Sequence, residues 1–338
     1  MRTNYLIYIA MIAGMYLSAC SEHDGGLPDK DAENISLSAV VDEVKIMSRT
    51  ANDGAYTGTV PSNENKLEAA VWFSLTSGKY PNTPSTDTHL PIHTNINYVS
   101  GTATFPDDEN YTPKYPTNND PVYCVGFYPK SDWSSIENFS KATHAINGKQ
   151  DLMFAPQISG NWNNHFQSQH FRHLLTWLKV CVCTTSPEAG SYWGKLKNLK
   201  FKDLPQSLTI DLSKGEGDSL AVTFSSELQD LSIMNSTEEV ELEIVAKEVA
   251  SVFCQPQNTQ NTPYKLLIEC TNATAEISIR LEALSEGDAG LLAYPAGLQY
   301  VLTLFFHPFN VVEGVCTLNA WNAQNEDLYP NPSPTSNN

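Results

Sequence analysis

Charge is the scarcest ingredient of this 338-residue sequence: only 17% of its residues are Asp, Glu, Lys or Arg, against roughly 25% in an ordinary globular domain. Positive charge is scarcer still. Twenty Lys and Arg face 38 Asp and Glu, a balance of −18 with an isoelectric point near 4.7. That sign argues against a nucleic-acid partner and against binding to an anionic membrane surface. The motifs of common catalysts are missing: there is no Gly-rich phosphate loop, no G-x-S-x-G elbow, no H-E-x-x-H and no P-loop. Carboxylates are plentiful enough for a glycosidase pair, but most alternate with apolar residues or crowd turns, which marks solvated faces. The expectation is a protein with no enzymatic activity and no cofactor. No strand is followed by a long helical pattern, which argues against a parallel α/β sheet.

The N-terminus carries an apolar run from Tyr5 to Leu17 behind Arg2, shorter than the about 20 residues that span a bilayer. A charged start, a short apolar core and the small residues Leu17-Ser18-Ala19 before Cys20 make a secretory signal. The segment is similar to a bacterial lipobox, which implies Cys20 as a lipidated first residue and an outer-membrane anchor. An ordinary signal cleaved nearby, with Cys20 incidental, is the alternative. Excluding residues 1–19 leaves 338 − 19 = 319 residues, enough for two domains with ample core. Residues 20–33 are polar, acidic and Gly-bearing and read as a flexible tether.

Six cysteines remain: Cys124, Cys181, Cys183, Cys254, Cys270 and Cys316. An exported protein permits disulfides, and six cysteines allow 15 pairings. Most sit inside apolar runs, where a thiol behaves as a small hydrophobe, so buried thiols and one or more disulfides both stay open. Cys181-x-Cys183 lacks zinc-site spacing. His165, His170 and His173 lie close in sequence, but His170 and His173 point to opposite faces of a strand and no carboxylate completes a metal set. No metal is expected; His173 reads as a core residue with a buried hydrogen bond. His89 and His93 would need a helix to converge, and Pro91 opposes one.

What is abundant is strand signal. Ile35, Leu37, Ala39 and Val41 recur at period two, a half-buried strand, although a helix through Leu37, Val40, Val41 and Val44 fits the same stretch. Leu67 to Leu75 and Pro121 to Pro129 follow. Phe171 to Val182 is apolar on both parities and reads as one long central strand. The second half repeats short strands between turns: Leu196 to Leu212, broken at Pro205; Leu220 to Phe224; Val240 to Ala246; Tyr264 to Cys270; Ile277 to Ala283; Leu298 to Phe306; and Val315 to Trp321. Strands at this spacing argue an all-β sandwich. Between strands, residues 76–120 are rich in Asn, Pro, Thr and Tyr. Tyr98, Tyr111 and Tyr115 there either stack on a sugar or partner loop, or pack on their own domain.

Several stretches in chain order, SRTA at 48–51, VYCVGFYP at 122–129, DLMFA at 151–155, FRHLLTWLKV at 171–180, YPAGLQYVLTLFF at 294–306 and GVCTLNAW at 314–321, together resemble the fimbrillin family, the pilus subunits of Bacteroidales-type bacteria. The resemblance implies two tandem transthyretin-like or Ig-like antiparallel sandwiches, expected here as 34–165 and 166–322, with a Pro/Asn-rich tail at 323–338. It also implies a mechanism: the first strand (Ile35, Leu37, Ala39, Val41) is removed by cleavage after Arg49, leaving Thr50 as the new start. A neighbouring subunit then refills the groove, because unpaired backbone and open apolar surface are costly. Alternatively Arg49 is a solvated loop residue. The partners implied are other pilin subunits; a monomeric surface lipoprotein binding host glycan or protein through loops 76–120 and 155–170 is the competing reading. The tail after Trp321 carries three prolines and makes a poor donor strand, which favours a tip, accessory or anchor subunit over a stalk. Asp218-Ser219-Leu220 resembles an O-glycosylation sequon of such bacteria.

Overall fold

The computed structural model describes residues 33–41, 67–82, 90–99, 102–105, 113–215, 221–234, 239–257, 263–281, 284–286, 291–293, 296–309 and 311–319. Cys20, Arg49, Thr50, Tyr111, His89, the 218–220 tripeptide and the tail from 320 lie outside them.

In chain order the strands of the first half are β1 (Ala39–Val41), β2 (Leu67–Ser74), β3 (Ile92–Val99), β4 (Thr102–Thr104), β5 (Val122–Tyr128), β6 (Ser134–Ile136), β7 (Lys141–Ala145), β8 (Met153–Gly160) and β9 (Gln169–His173). Then come β10 (Thr176–Thr184), the helix α1 (Pro187–Trp193), β11 (Leu196–Pro205), β12 (Ser207–Asp211), β13 (Val222–Phe224) and β14 (Leu228–Ser232). The series ends with β15 (Lys247–Cys254), β16 (Tyr264–Cys270), β17 (Thr274–Ile279), β18 (Leu284–Glu286), β19 (Leu291–Ala293), β20 (Gln299–His307) and β21 (Val311–Asn319).

A seven-stranded sheet, ordered β1-β9-β8-β5-β2-β3-β4, organises the first half. Its central strands β2, β5 and β8 are apolar on both parities because both faces are covered. On β2, Ala70 and Trp72 face a core shared with the sheet β13-β12-β7-β6, while Ala69, Val71 and Phe73 face a second core on the opposite side. The second half is a sandwich of β15-β10-β20-β21 on β14-β11-β16-β17. Its interior is built from alternate residues such as Leu178, Val180 and Val182 on β10 and Leu302, Leu304 and Phe306 on β20. The all-β sandwich expectation holds.

Three expectations change. The long strand 171–182 is two strands in two different sheets. Leu174 and Leu175 are consecutive and both buried in the first half's core, which an alternating strand cannot do, so the chain turns there between β9 and β10. The remainder, β10, is central and covered on both faces, with Cys181 and Cys183 under a small separate cluster. The boundary at 165/166 is therefore misplaced: β9 pairs with β1 and β8. In addition, β12 pairs antiparallel with β7, Leu208 opposite His144 and Ile210 opposite Ala142, and with β13, so β12 and β13 return to the first sandwich. Leu208, Ile210 and Leu212 alternate into its core, which is why the excursion is stable. Lastly, 240–246 is not a regular strand: Val240 forms an isolated bridge with Leu196, and Ile244 and Val245 are exposed.

The single described helix has local causes that the strand reading passed over. Ser186 accepts from Ala189 N–H at its N-cap, Pro187 occupies the first turn, and Glu188 faces the positive end of the helix dipole. It delivers Trp193 into the core, where its indole N–H donates to the His307 carbonyl at 2.7 Å.

Candidate functional site

The far face of the seven-stranded sheet is closed by the chain's first described segment. Ile35, Leu37 and Ala39 are 2%, 3% and 3% exposed, whereas Glu33, Asn34 and Ser36 between and before them face solvent. The period-two reading was right and the helical alternative was not, although only 39–41 is regular strand. Burying two such large side chains is worth about 1.5–3 kcal/mol each.

The segment's backbone is bonded to both edges of the sheet. Near its start, Ile35 N–H donates to the Pro113 carbonyl at 2.8 Å and Tyr115 N–H to the Glu33 carbonyl at 3.0 Å. At Leu37, the carbonyl accepts from Ala103 N–H of β4 at 2.9 Å, and Ser38 forms an antiparallel bridge with Thr102. One residue later the partner changes: the Ser38 carbonyl accepts from Gln169 N–H at 2.8 Å, and Ala39, Val40 and Val41 run parallel to Gln169, His170 and Phe171 of β9. Since β4 is one edge of the sheet and β9 would be the other without β1, this one segment caps backbone on both sides.

Beneath it lies an apolar floor that includes Val71, Phe73, Ile96, Val122 and Phe171, interrupted by one polar cluster. Gln169 is wholly buried. Its side-chain oxygen accepts from the Tyr98 hydroxyl, and its amide nitrogen donates to Cys124 Sγ at 3.4 Å. Burial pushes the Tyr98 hydroxyl and the Cys124 thiol well above their ordinary values, so both stay neutral.

Two of the three tyrosines proposed for ligand stacking are therefore structural. Tyr98 sits on β3 with its ring edge against Phe171 (5.8 Å between centroids). Tyr115 is 1% exposed and stacks on His165 at 5.3 Å; its hydroxyl accepts from Phe166 N–H at 2.9 Å, and burial raises it to about 12. A ring with no accessible face cannot receive a sugar. Tyr98 and Tyr115 go into the core on this face of the sheet. Tyr111, Arg49, Thr50, Cys20 and the side chain of Val41 lie outside the description.

The histidines scatter. His173 Nδ1 lies 2.6 Å from Asp151 in a half-closed pair, and His165 lies 3.3 Å from Glu33. His93 stacks flat on Trp72, 4.0 Å between centroids. Among the described residues no three His, Cys, Asp or Glu are grouped to hold a metal. Cys124, Cys181, Cys183, Cys254 and Cys270 are buried thiols. Sequence reasoning missed Gln169 and the contact it makes with the buried Cys124 thiol. Only the shared parity of Gln169 with Phe171 hinted that the glutamine points inward.

An all-β chain of two sandwiches, with its first segment laid over both edges of a sheet, is the class that fold and site define. The sequence profile of the fimbrillin-like family matches residues 62–321, and the chain belongs to that family. It is similar in fold to a candidate cell adhesion protein from Bacteroides uniformis (12% identity, 86% of this chain and 98% of the other, TM-score 0.53). A candidate cell adhesion protein from Bacteroides ovatus is comparable (14% identity, 88% and 100%, TM-score 0.51). No curated protein matches the chain.

Proposed function

We propose that the protein is a subunit of a cell-surface pilus, exported as a lipoprotein through Cys20, anchored in the outer membrane, and assembled by strand exchange once the chain is cut between Arg49 and Thr50. The observation that carries this reading is the first segment. It contributes two large apolar anchors and the backbone bonds of two sheet edges, so its loss opens a groove that only another strand can refill. Family membership supports a fimbrial role and other pilin subunits as partners. The three prolines after Trp321 favour a tip, accessory or anchor position over the shaft. The competing reading, a monomeric lipoprotein that grips glycan or host protein through its tyrosine loops, is weakened by the burial of Tyr98 and Tyr115.

The test is the N-terminal sequence and intact mass of protein sheared from the cell surface. A start at Thr50 supports strand exchange. A lipid-bearing start at Cys20 on all surface protein overturns it.

A further inference from the structure

We infer that the groove under the first segment selects its occupant by a size and direction code, large–large–small at alternate positions, and that Gln169 held by Tyr98 sets the small position. The inference rests on the strand-exchange reading for its biological occupant, a donor strand from another subunit. It concerns the groove itself, which the first segment fills in this chain.

The code is read from the register. Ile35, Leu37 and Ala39 all point inward. All three join the apolar floor, but Ala39 in addition lies directly beside Gln169 in the parallel pairing, and paired residues of neighbouring strands share a face. A free glutamine would swing aside for a larger neighbour. This one cannot. Its oxygen is held by the Tyr98 hydroxyl, its nitrogen by Cys124 Sγ, and its flank by Gly126, where even a Cβ would come within 3.2 Å of the amide nitrogen and 2.7 Å of Phe171 Cζ. Moving the amide away would strand a buried hydroxyl without a partner, which is costly. The slot beside it therefore stays narrow, and a bulky occupant is overpacked.

Direction is fixed as well. An occupant must run parallel to β9 while pairing antiparallel at Thr102 of β4. A reversed strand would offer the right side chains with the wrong backbone polarity at both edges.

The test uses the full chain. In the intact protein, Ala39→Leu should lower the thermal midpoint clearly, whereas Ser36→Leu, at a solvent-facing position, should not. The pair Gln169→Ala and Tyr98→Phe clears the slot without leaving the hydroxyl unpartnered, and in that background the Ala39→Leu penalty should disappear. The same chain is then cleaved after Arg49 and challenged with labelled synthetic peptides spanning residues 33–42. The native peptide should exchange in; the Ala39→Leu and reversed-sequence peptides should bind about tenfold more weakly or worse. An equal Ala39→Leu penalty in both backgrounds, or equal uptake of native and Ala39→Leu peptides, overturns the code. If the intact-chain coupling holds but no peptide enters after cleavage, the code stands and the strand-exchange reading falls.

Discussion

Gly148 offers the most exacting check on how the two halves are joined. It is buried in the turn after β7 at a φ of 72°, and its carbonyl accepts from Phe253 N–H of β15 at 2.9 Å. The turn is also tied to the second half through Gln229, whose side-chain amide donates to the Ile146 carbonyl at 2.7 Å. In Gly148→Ala the new Cβ would lie 2.1 Å from Leu231 Cδ2, 3.1 Å from Leu231 Cγ and 3.2 Å from Val252 Cγ2. Two costs add. A left-handed backbone with a Cβ costs about 1 kcal/mol, and displacing a packed leucine costs about 1–3 kcal/mol, so the sum is about 2–4 kcal/mol. Urea unfolding followed by tryptophan fluorescence measures it. Leu231→Ala removes the clashing atoms, so in that background Gly148→Ala should cost only about the 1 kcal/mol of backbone strain. A loss below about 0.5 kcal/mol, or the same loss in both backgrounds, would refute this account of the junction.

Two further outcomes follow from buried groups. Burial holds the His93 imidazole down from 6.5 to about 4, against the opposing pull of its hydrogen bond to the Tyr80 carbonyl. The folded state thus favours the neutral ring: above pH 6.5 its contribution is complete, and between pH 6.5 and about 4 the unfolded chain takes up a proton that the folded chain refuses. Stability should fall with pH across that window, and His93→Phe, which keeps a ring on Trp72, should flatten the slope; an unchanged slope sinks the assignment. Burial likewise raises the Cys181, Cys254 and Cys270 thiols to about 12 and Cys183 to about 11. A thiol reagent at pH 8 should leave these four and Cys124 untouched in native protein and reach all five after denaturation. Fast native labelling of any of them contradicts the packing.

Strands such as β2, β5 and β16 were legible because their apolar residues recur at period two or fill both parities between turn residues. The first segment was legible for the same reason. What stayed hidden was partnership. Nothing in Phe171 to Val182 says that Leu174 and Leu175 mark a passage between sheets, because a doubly buried strand and a buried turn look alike in composition. The alternation of Leu208, Ile210 and Leu212 announced a strand but not which sandwich would claim it. The tyrosines stayed open between two readings because chemistry alone cannot separate a ring that covers a sheet from one that waits for a ligand; burial decides for Tyr98 and Tyr115. Gln169 was silent: one polar residue in a polar loop shows its role only when Tyr98 and Cys124 arrive from strands far away in sequence.

The return of β12 and β13 to the first sandwich governs how this molecule is made and how it bears load. The chain passes between the halves three times, after β9, after β11 and after β13. During synthesis the first sandwich stays unfinished until residue 224 has emerged, with β10 and β11 already out and β10 awaiting a partner as distant as β20. Once closed, the arrangement is a splice rather than a link. A protease that nicks any one crossing leaves the other two holding, and tension applied along the molecule is shared by three strands of polypeptide instead of one.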